Sequence, residues 1–100
     1  DFARMPKPIL KKVDLNKIIS RSVNLHELSE TDKTFRLSKR KLSSDVNGDE
    51  EQLNRVFINL IKNSLESIDE KKSKKIDFKG KIDIDINKDN HYIYVNVLFY

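Results

Sequence analysis

A helix pattern over residues 50–70 constrains the fold more than any other feature of this sequence. Asp49 and Gln52, three residues apart, resemble a capping box, so we expect the helix to begin near Glu50 and to run to about Glu70. Side chains that suit a buried face then recur every three or four positions, which is the spacing of one face of a helix. The positions of this single broad stripe are Leu53, Val56, Phe57, Leu60, Ile61, Ser64, Leu65 and Ile68.

Two elements and a turn are predicted before this helix. Asp14 is a suitable N-cap for a first amphipathic helix over residues 15–28, where apolar side chains recur at helical spacing. Residues 34–42 begin by alternating apolar and polar side chains, which predicts a strand with one solvated face. The dipeptide Asn47–Gly48 is typical of a turn, and we expect it to lead into the second helix.

The sequence after the second helix predicts a hairpin. Residues 71–80 are rich in lysine and are expected to form a charged loop. Residues 81–87, KIDIDIN, alternate isoleucine with polar side chains, which indicates a strand with one buried face. Residues 88–90 are expected to form a short turn, and residues 91–100, HYIYVNVLFY, a second strand rich in aromatic and β-branched side chains.

The order of these elements predicts the fold class. Helix, strand, helix and hairpin in succession favour an α+β protein in which the helices cover one face of a mixed sheet. We therefore expect a two-layer α/β sandwich over residues 14–100. Residues 1–13 contain Pro6 and Pro8, which disfavour a helix at the residue before each of them, and are expected to be a connector.

Composition excludes several classes of function. The chain of 100 residues has no cysteine, which excludes a disulfide framework, a thiolate metal site and a cysteine nucleophile. No apolar run approaches the ~20 residues that span a bilayer. Its two glycines, Gly48 and Gly80, cannot form a glycine-rich phosphate loop. The net charge of +4 arises from 20 basic and 16 acidic residues, a mixture that favours solubility over nucleic-acid binding.

Two asparagines on the second helix are the main candidate for chemistry. At about 100° per residue, Asn59 and Asn63 lie roughly 40° apart, at one edge of the apolar stripe. Gln52, Glu66 and Glu70 fall on the same side. Amide and carboxylate oxygens suit Mg²⁺, which takes one or two protein ligands and completes its octahedron with phosphates and water. The spacing permits an Mg-nucleotide site, and it equally fits a solvated helix margin.

Other residues have simpler explanations. His26 follows the face of the first helix and is expected to be a partly buried structural histidine, and His91 is expected on the surface. The basic cluster over residues 71–81 is interrupted by acidic side chains and has no interleaved aromatic residues, which favours a solvated loop. Asp83 and Asp85 are expected on the exposed face of the first hairpin strand.

Several segments resemble one known family. Residues 49–68, DEEQLNRVFINLIKNSLESI, resemble the N-box of bacterial sensor histidine kinases, whose Bergerat-type ATP-binding fold is shared with gyrase and heat-shock chaperones. The upstream FARMPKP and VDLNKII are similar to the exit from the dimerisation helices and the start of the ATP-binding domain in nitrogen-regulation kinases of the NtrY and NtrB type. GKIDIDINKDNHYIYVNV is similar to the paired strands that precede the family's next nucleotide motif.

The resemblance implies roles for four residues of the second helix. Asn63 occupies the position of the family's Mg²⁺-coordinating asparagine. Asn59, one turn earlier, would line the triphosphate and help to order the attack geometry, which makes it the implied catalytic residue. Lys62 and Ser67 would approach the phosphates, although many relatives carry a basic residue where this chain has Ser67.

The resemblance also implies ligands and partners. The cofactors would be ATP and Mg²⁺, and the partners an upstream dimerisation domain and a response regulator, with the domain on the cytoplasmic side of a parent kinase. Residues 1–13 would be the linker from the dimerisation and phosphoacceptor region, and residues 14–100 part of the ATP-binding domain. The Asp-x-Gly-x-Gly motif that binds adenine in the family does not occur here, so we expect this chain alone to be inactive as a kinase.

Two alternatives remain open. The first is a catalytically inactive domain that acts by association, through the apolar strand at residues 92–100. The second, less favoured, is a small basic domain that binds nucleic acid.

Overall fold

The computed structural model describes residues 7–39, 44–73 and 79–100. The predictions for residues 1–6, 40–42 and 74–78 lie outside this part of the chain. The described elements follow the chain in the order β1 (Lys11–Asp14), α1 (Leu15–Ser29), β2 (Lys33–Lys39), β3 (Asp45–Gly48), α2 (Glu50–Lys72), β4 (Gly80–Lys88) and β5 (Ile93–Phe99).

A polar cap starts α1 at the predicted residue. The Asp14 side chain accepts a hydrogen bond from the backbone N–H of Asn16 at 3.0 Å. The hydroxyl of Ser44, which is buried, donates a hydrogen bond to Asp14 Oδ1 at 2.7 Å, and this bond lowers the pKa of the Asp14 carboxyl. The apolar face of α1 is buried as predicted, through Leu15, Ile18, Ile19 and Val23.

The second helix is buried along a narrower face than the sequence predicted. Asp49 caps it, accepting a hydrogen bond from the Gln52 N–H at 3.1 Å. The expectation that Val56 and Leu60 belong to the buried stripe is wrong, because their side chains are 49% and 42% exposed. Leu60 is rotated by about 100° from Ile61, beyond the contact of the helix with the sheet. The buried positions are Phe57, Ile61, Ser64, Leu65 and Ile68.

In the described part of the chain, three strands form the mixed sheet beneath the helices. Their order is β2-β4-β5, with β2 parallel and β5 antiparallel to the central β4. The three isoleucines of KIDIDIN are buried in β4, and apolar residues of β2 and β5 pack around the same core. The predicted α+β fold, a two-layer sandwich with helices on one face of a mixed sheet, is therefore confirmed.

A second, two-stranded sheet was not predicted. β1 pairs antiparallel with β3, with Lys11 opposite Gly48 and Lys12 opposite Asn47. The predicted turn at Asn47–Gly48 is thus wrong, and Lys11–Val13 belong to a strand rather than to a connector. Gly48 has no positive φ. Its importance is steric, because a Cβ there would lie 2.8 Å from Leu53 Cδ1.

Charged side chains join the end of α1 to the end of α2. The Lys33 side chain is only 2% exposed, and its ammonium group lies 2.7 Å from Glu30, 2.8 Å from Asp69 and 3.3 Å from Asp32. Burial lowers the pKa of Lys33, but hydrogen bonds to the three carboxylates together hold it above its ordinary value. Lys72 pairs with Asp32 and lowers the pKa of that carboxyl to about 2.

The two glycines provide a matched test of the packing. A Cβ at position 80 would lie 2.2 Å from Ile68 Cγ2, a methyl fixed to a β-branched carbon in the core. We expect Gly80→Ala to lower the free energy of unfolding by about 2 kcal/mol, as overpacking does. The close contact of a Cβ at position 48 is with the flexible end of Leu53, so Gly48→Ala should lower the free energy of unfolding by less. Urea denaturation of both variants measures this, and an equal or larger loss for Gly48→Ala would contradict the packing.

Candidate functional site

The four candidate residues all lie on the solvent-exposed side of α2. Asn59, Lys62, Asn63 and Ser67 are each exposed. Asn59 and Asn63 are one helical turn apart and therefore neighbours on the surface. The buried residues of α2 occupy the other side of the helix, so burial of one face fixes the direction in which the two amides point. The helix thus presents Asn59 and Asn63 together, with Lys62 and Ser67 beside them.

The exposed side of α2 also carries apolar surface. Val56 and Leu60 lie at positions i and i+4, and Asn63 continues the same line one turn further on. A ligand on this surface would meet two half-exposed aliphatic side chains and two amides. Sequence reasoning missed the contribution of Val56 and Leu60, because helical spacing alone counts every apolar side chain toward the core.

The two amides are available to an external ligand. Among the residues that the structure describes, no hydrogen bond or ion pair involves the side chain of Asn59 or Asn63. Within the same ranges, no three His, Cys, Asp or Glu side chains are grouped as a metal site. A metal ion here would therefore be coordinated by amide oxygens of the protein together with oxygens of a bound small molecule, as Mg²⁺ bound to phosphates is.

Two surface grooves lie beside α1. One, of about 240 Å³, separates α1 from the start of α2 and is lined by Ile18, Arg21, Glu50, Glu51 and Asn54. A neighbouring groove of about 330 Å³ runs along β1 and α1. Neither groove includes Asn59 or Asn63. Asn59 and Asn63 instead lie on an exposed surface of α2.

The histidines and hairpin carboxylates have structural positions. His26 is half-buried, and its Nδ1 lies 2.7 Å from the carbonyl oxygen of Ser22, so the prediction of a structural histidine is confirmed. His91 is exposed, as predicted. Asp83 accepts a hydrogen bond from the Tyr100 hydroxyl at 2.6 Å, which raises the pKa of Tyr100. Asp83 is thus hydrogen-bonded to a tyrosine rather than paired with Asp85 as an acid–base site.

Comparison with known proteins identifies the family. No model of a protein family matches the chain. It is 43% identical over 63 residues to sporulation kinase A of Bacillus subtilis, a match that covers 63% of this chain and 9% of that protein. It is 31% identical over 97 residues to an NtrY-like sensor histidine kinase of Rickettsia felis, which covers 97% of this chain and 15% of that protein.

The chain belongs to the sensor histidine kinases. The solved structure of the mycobacterial sensor histidine kinase MprB has the same fold, with a TM-score of 0.69 at 19% identity, covering 89% of this chain and 54% of that one. The chain spans only 9% and 15% of the lengths of the two curated kinases above, so it corresponds to part of a histidine kinase. In the described ranges, no helix has both the length and the apolar character needed to span a bilayer.

The exposure of the two asparagines makes a prediction about stability. Because neither side chain packs in the core, Asn59→Ala and Asn63→Ala should change the free energy of unfolding by at most about 0.5 kcal/mol, and alanine's helix propensity can raise it. Ile61→Ala, on the buried face, should lower it by about 2–5 kcal/mol. Thermal or urea unfolding compares the three variants. A loss above about 1 kcal/mol for either asparagine variant would mean that the amide supports the fold.

Proposed function

We propose that this chain is part of the ATP-binding domain of a sensor histidine kinase, which presents Mg-ATP for phosphoryl transfer to a histidine. The observation that carries the proposal is the exposed pair Asn59 and Asn63 on α2, in a chain whose relatives are sensor histidine kinases. In this proposal the partial ATP-binding domain begins with β1, at Lys11, rather than at residue 14, and the residues before it lead from the dimerisation and phosphoacceptor region.

Each residue of the exposed surface has a proposed role. The Asn63 amide oxygen would be the protein ligand of Mg²⁺, and the Asn59 amide would line the triphosphate and fix its orientation for attack. Lys62 and Ser67 would contact phosphate oxygens, the first through a positive charge and the second through a hydroxyl. The free amides support these roles, because an amide already hydrogen-bonded within the protein would be less available to a ligand.

Phosphoryl transfer is a reaction that an exposed surface of amides can support. Phosphoryl transfer depends on positioning and on electrostatic stabilisation rather than on covalent chemistry by the protein. Bound Mg²⁺ would neutralise charge on the phosphate oxygens. The residues of α2 would hold the phosphates in place, and the half-exposed Val56 and Leu60 would exclude water from one side of the ligand.

The proposed partners follow from the same role. A histidine kinase of this type would receive its phosphoacceptor histidine from the dimerisation domain and pass the phosphoryl group to a response regulator. We place the domain in the cytoplasm for the same reason. Mg-ATP should bind weakly or not at all to this chain by itself, since the sequence lacks the Asp-x-Gly-x-Gly motif.

A chimeric kinase tests the proposal. This chain replaces the region that it matches in the Rickettsia felis kinase, and Mg-ATP binding and autophosphorylation are measured. We expect Asn63→Ala to weaken Mg-dependent ATP binding by roughly 10- to 100-fold, the effect of losing one contact to a charged group. Asn24→Ala, at an exposed position of α1, is the matched control and should have no effect. A folded chimera in which Asn63→Ala binds Mg-ATP as tightly as the unsubstituted protein would refute the proposed role.

A second candidate function is association through β5. Among the described strands β5 is an edge of the sheet, and the segment Ile93–Phe99 has no charged residue. Tyr92, Tyr94, Leu98, Phe99 and Tyr100 are all at least 45% exposed. Edges of this kind favour pairing with another strand. Sedimentation velocity distinguishes the candidates, because a monomer at high protein concentration is incompatible with association of this chain.

A further inference from the structure

One carboxylate contacts two parts of the chain that are distant in sequence. Asp49 Oδ1 accepts the hydrogen bond from the Gln52 N–H at 3.1 Å and so caps α2. Asp49 Oδ2 accepts a second hydrogen bond, at 2.8 Å, from the backbone N–H of Ile9. Capping needs a single acceptor oxygen, and serine or asparagine provides it about as well. The hydrogen bond from Ile9 to the second oxygen is therefore not required for capping.

That second contact anchors the incoming segment, residues 7–10. The side chains of Ile9 and Leu10 are 76% and 60% exposed, so apolar burial does little to hold these residues on the domain. The backbone N–H of Ile9 is instead bound to the cap of α2. Both backbone donors also keep the pKa of Asp49 below its ordinary value, with Ile9 the larger contributor. The carboxylate is thus ionised and bound at both oxygens.

Neighbouring residues strengthen the same connection. Glu50, the first residue of α2, pairs with Lys11 at 3.1 Å and with Arg21 of α1 at 3.2 Å. Lys11 also lies opposite Gly48 in the small sheet. Two successive residues at the start of α2 are therefore bonded to the N-terminal part of the chain, Asp49 to Ile9 and Glu50 to Lys11. A displacement of residues 7–10 must either break the Ile9–Asp49 bond or move the first turn of α2.

We infer that Asp49 mechanically couples the incoming segment to α2, so that the position of residues 7–10 sets the order of the first turn of that helix. Asn59 is ten residues further along, about 15 Å at the rise of an α-helix. The coupling thus gives the chain that enters this domain a direct connection to the helix that carries the asparagine surface. It depends only on contacts within the protein and requires no nucleotide.

Amide hydrogen exchange, measured by NMR on the 100-residue chain without nucleotide, tests the coupling from both ends of the bond. Ile9→Pro removes the donor N–H and leaves the cap intact. Asp49→Ser keeps a cap oxygen but removes the second acceptor. We expect each variant to speed exchange of the Leu53 and Asn54 amides roughly 3- to 10-fold, the range for losing one hydrogen bond. The double variant should match the larger single effect, because both changes remove the same bond.

Two controls make the outcome decisive. Ile9→Ala keeps the backbone N–H, so its Leu53 and Asn54 amides should exchange at the rates of the unsubstituted chain. The exchange rate of the Ile84 amide, in β4, should be the same in every variant. Unchanged Leu53 and Asn54 exchange in Ile9→Pro and Asp49→Ser would overturn the inference. So would additive effects in the double variant, an Ile9→Ala effect equal to that of Ile9→Pro, or an equal rise at Ile84, which would indicate a global loss of stability.

Discussion

The packing of one face of α2 on β4 is the interaction on which the rest of the structure depends. Ile61, Leu65 and Ile68 are buried with the three isoleucines of β4, and Gly80 lets the start of that strand approach Ile68 closely. Each fully buried isoleucine of this kind contributes about 1.5–3 kcal/mol. Because this contact uses only one side of the helix, the other side remains free, and the candidate ligand surface is a direct consequence of how the core is filled.

Polar contacts fix the ends of both helices. Asp14 and Ser44 hold the start of α1, and Asp49 holds the start of α2. At the opposite end, Lys33 is buried among carboxylates from the α1–β2 connection and from the last turns of α2. The core sets the rotation of α2 about its axis, whereas these terminal contacts oppose sliding of the helix along its axis. The contact that we propose between the asparagine surface and a phosphate chain would benefit from both restraints.

Local signals in the sequence predicted the elements whose cause is local. The N-caps Asp14 and Asp49, both helices and the isoleucine alternation of β4 follow from residues within a few positions of one another, and the structure contains all of them. The sandwich architecture followed from their order. The resemblance of residues 49–68 to the N-box pointed to the histidine kinases, and the relatives agree with it. The roles of Asn59 and Asn63 remain predictions.

Contacts between distant residues account for what the sequence did not predict. Asn47–Gly48 has the composition of a turn, but its neighbour is β1, more than 30 residues earlier, and pairing with that strand decides its conformation. Val56 and Leu60 suit a buried face by spacing, yet burial is limited by how far the sheet reaches around the helix. The bond between Ile9 and Asp49 joins residues 40 positions apart and leaves no periodic pattern.

The central claim is that α2 buries one face and presents Asn59 and Asn63 to solvent on the other. NMR with a soluble paramagnetic gadolinium chelate tests this claim most directly. The side-chain amide signals of Asn59 and Asn63 should broaden as strongly as that of Asn24, which is exposed on α1. The signal of Asn16, whose amide oxygen is buried, should broaden much less. If the Asn59 and Asn63 signals were protected to the extent of the Asn16 signal, the account of an open asparagine surface would be wrong.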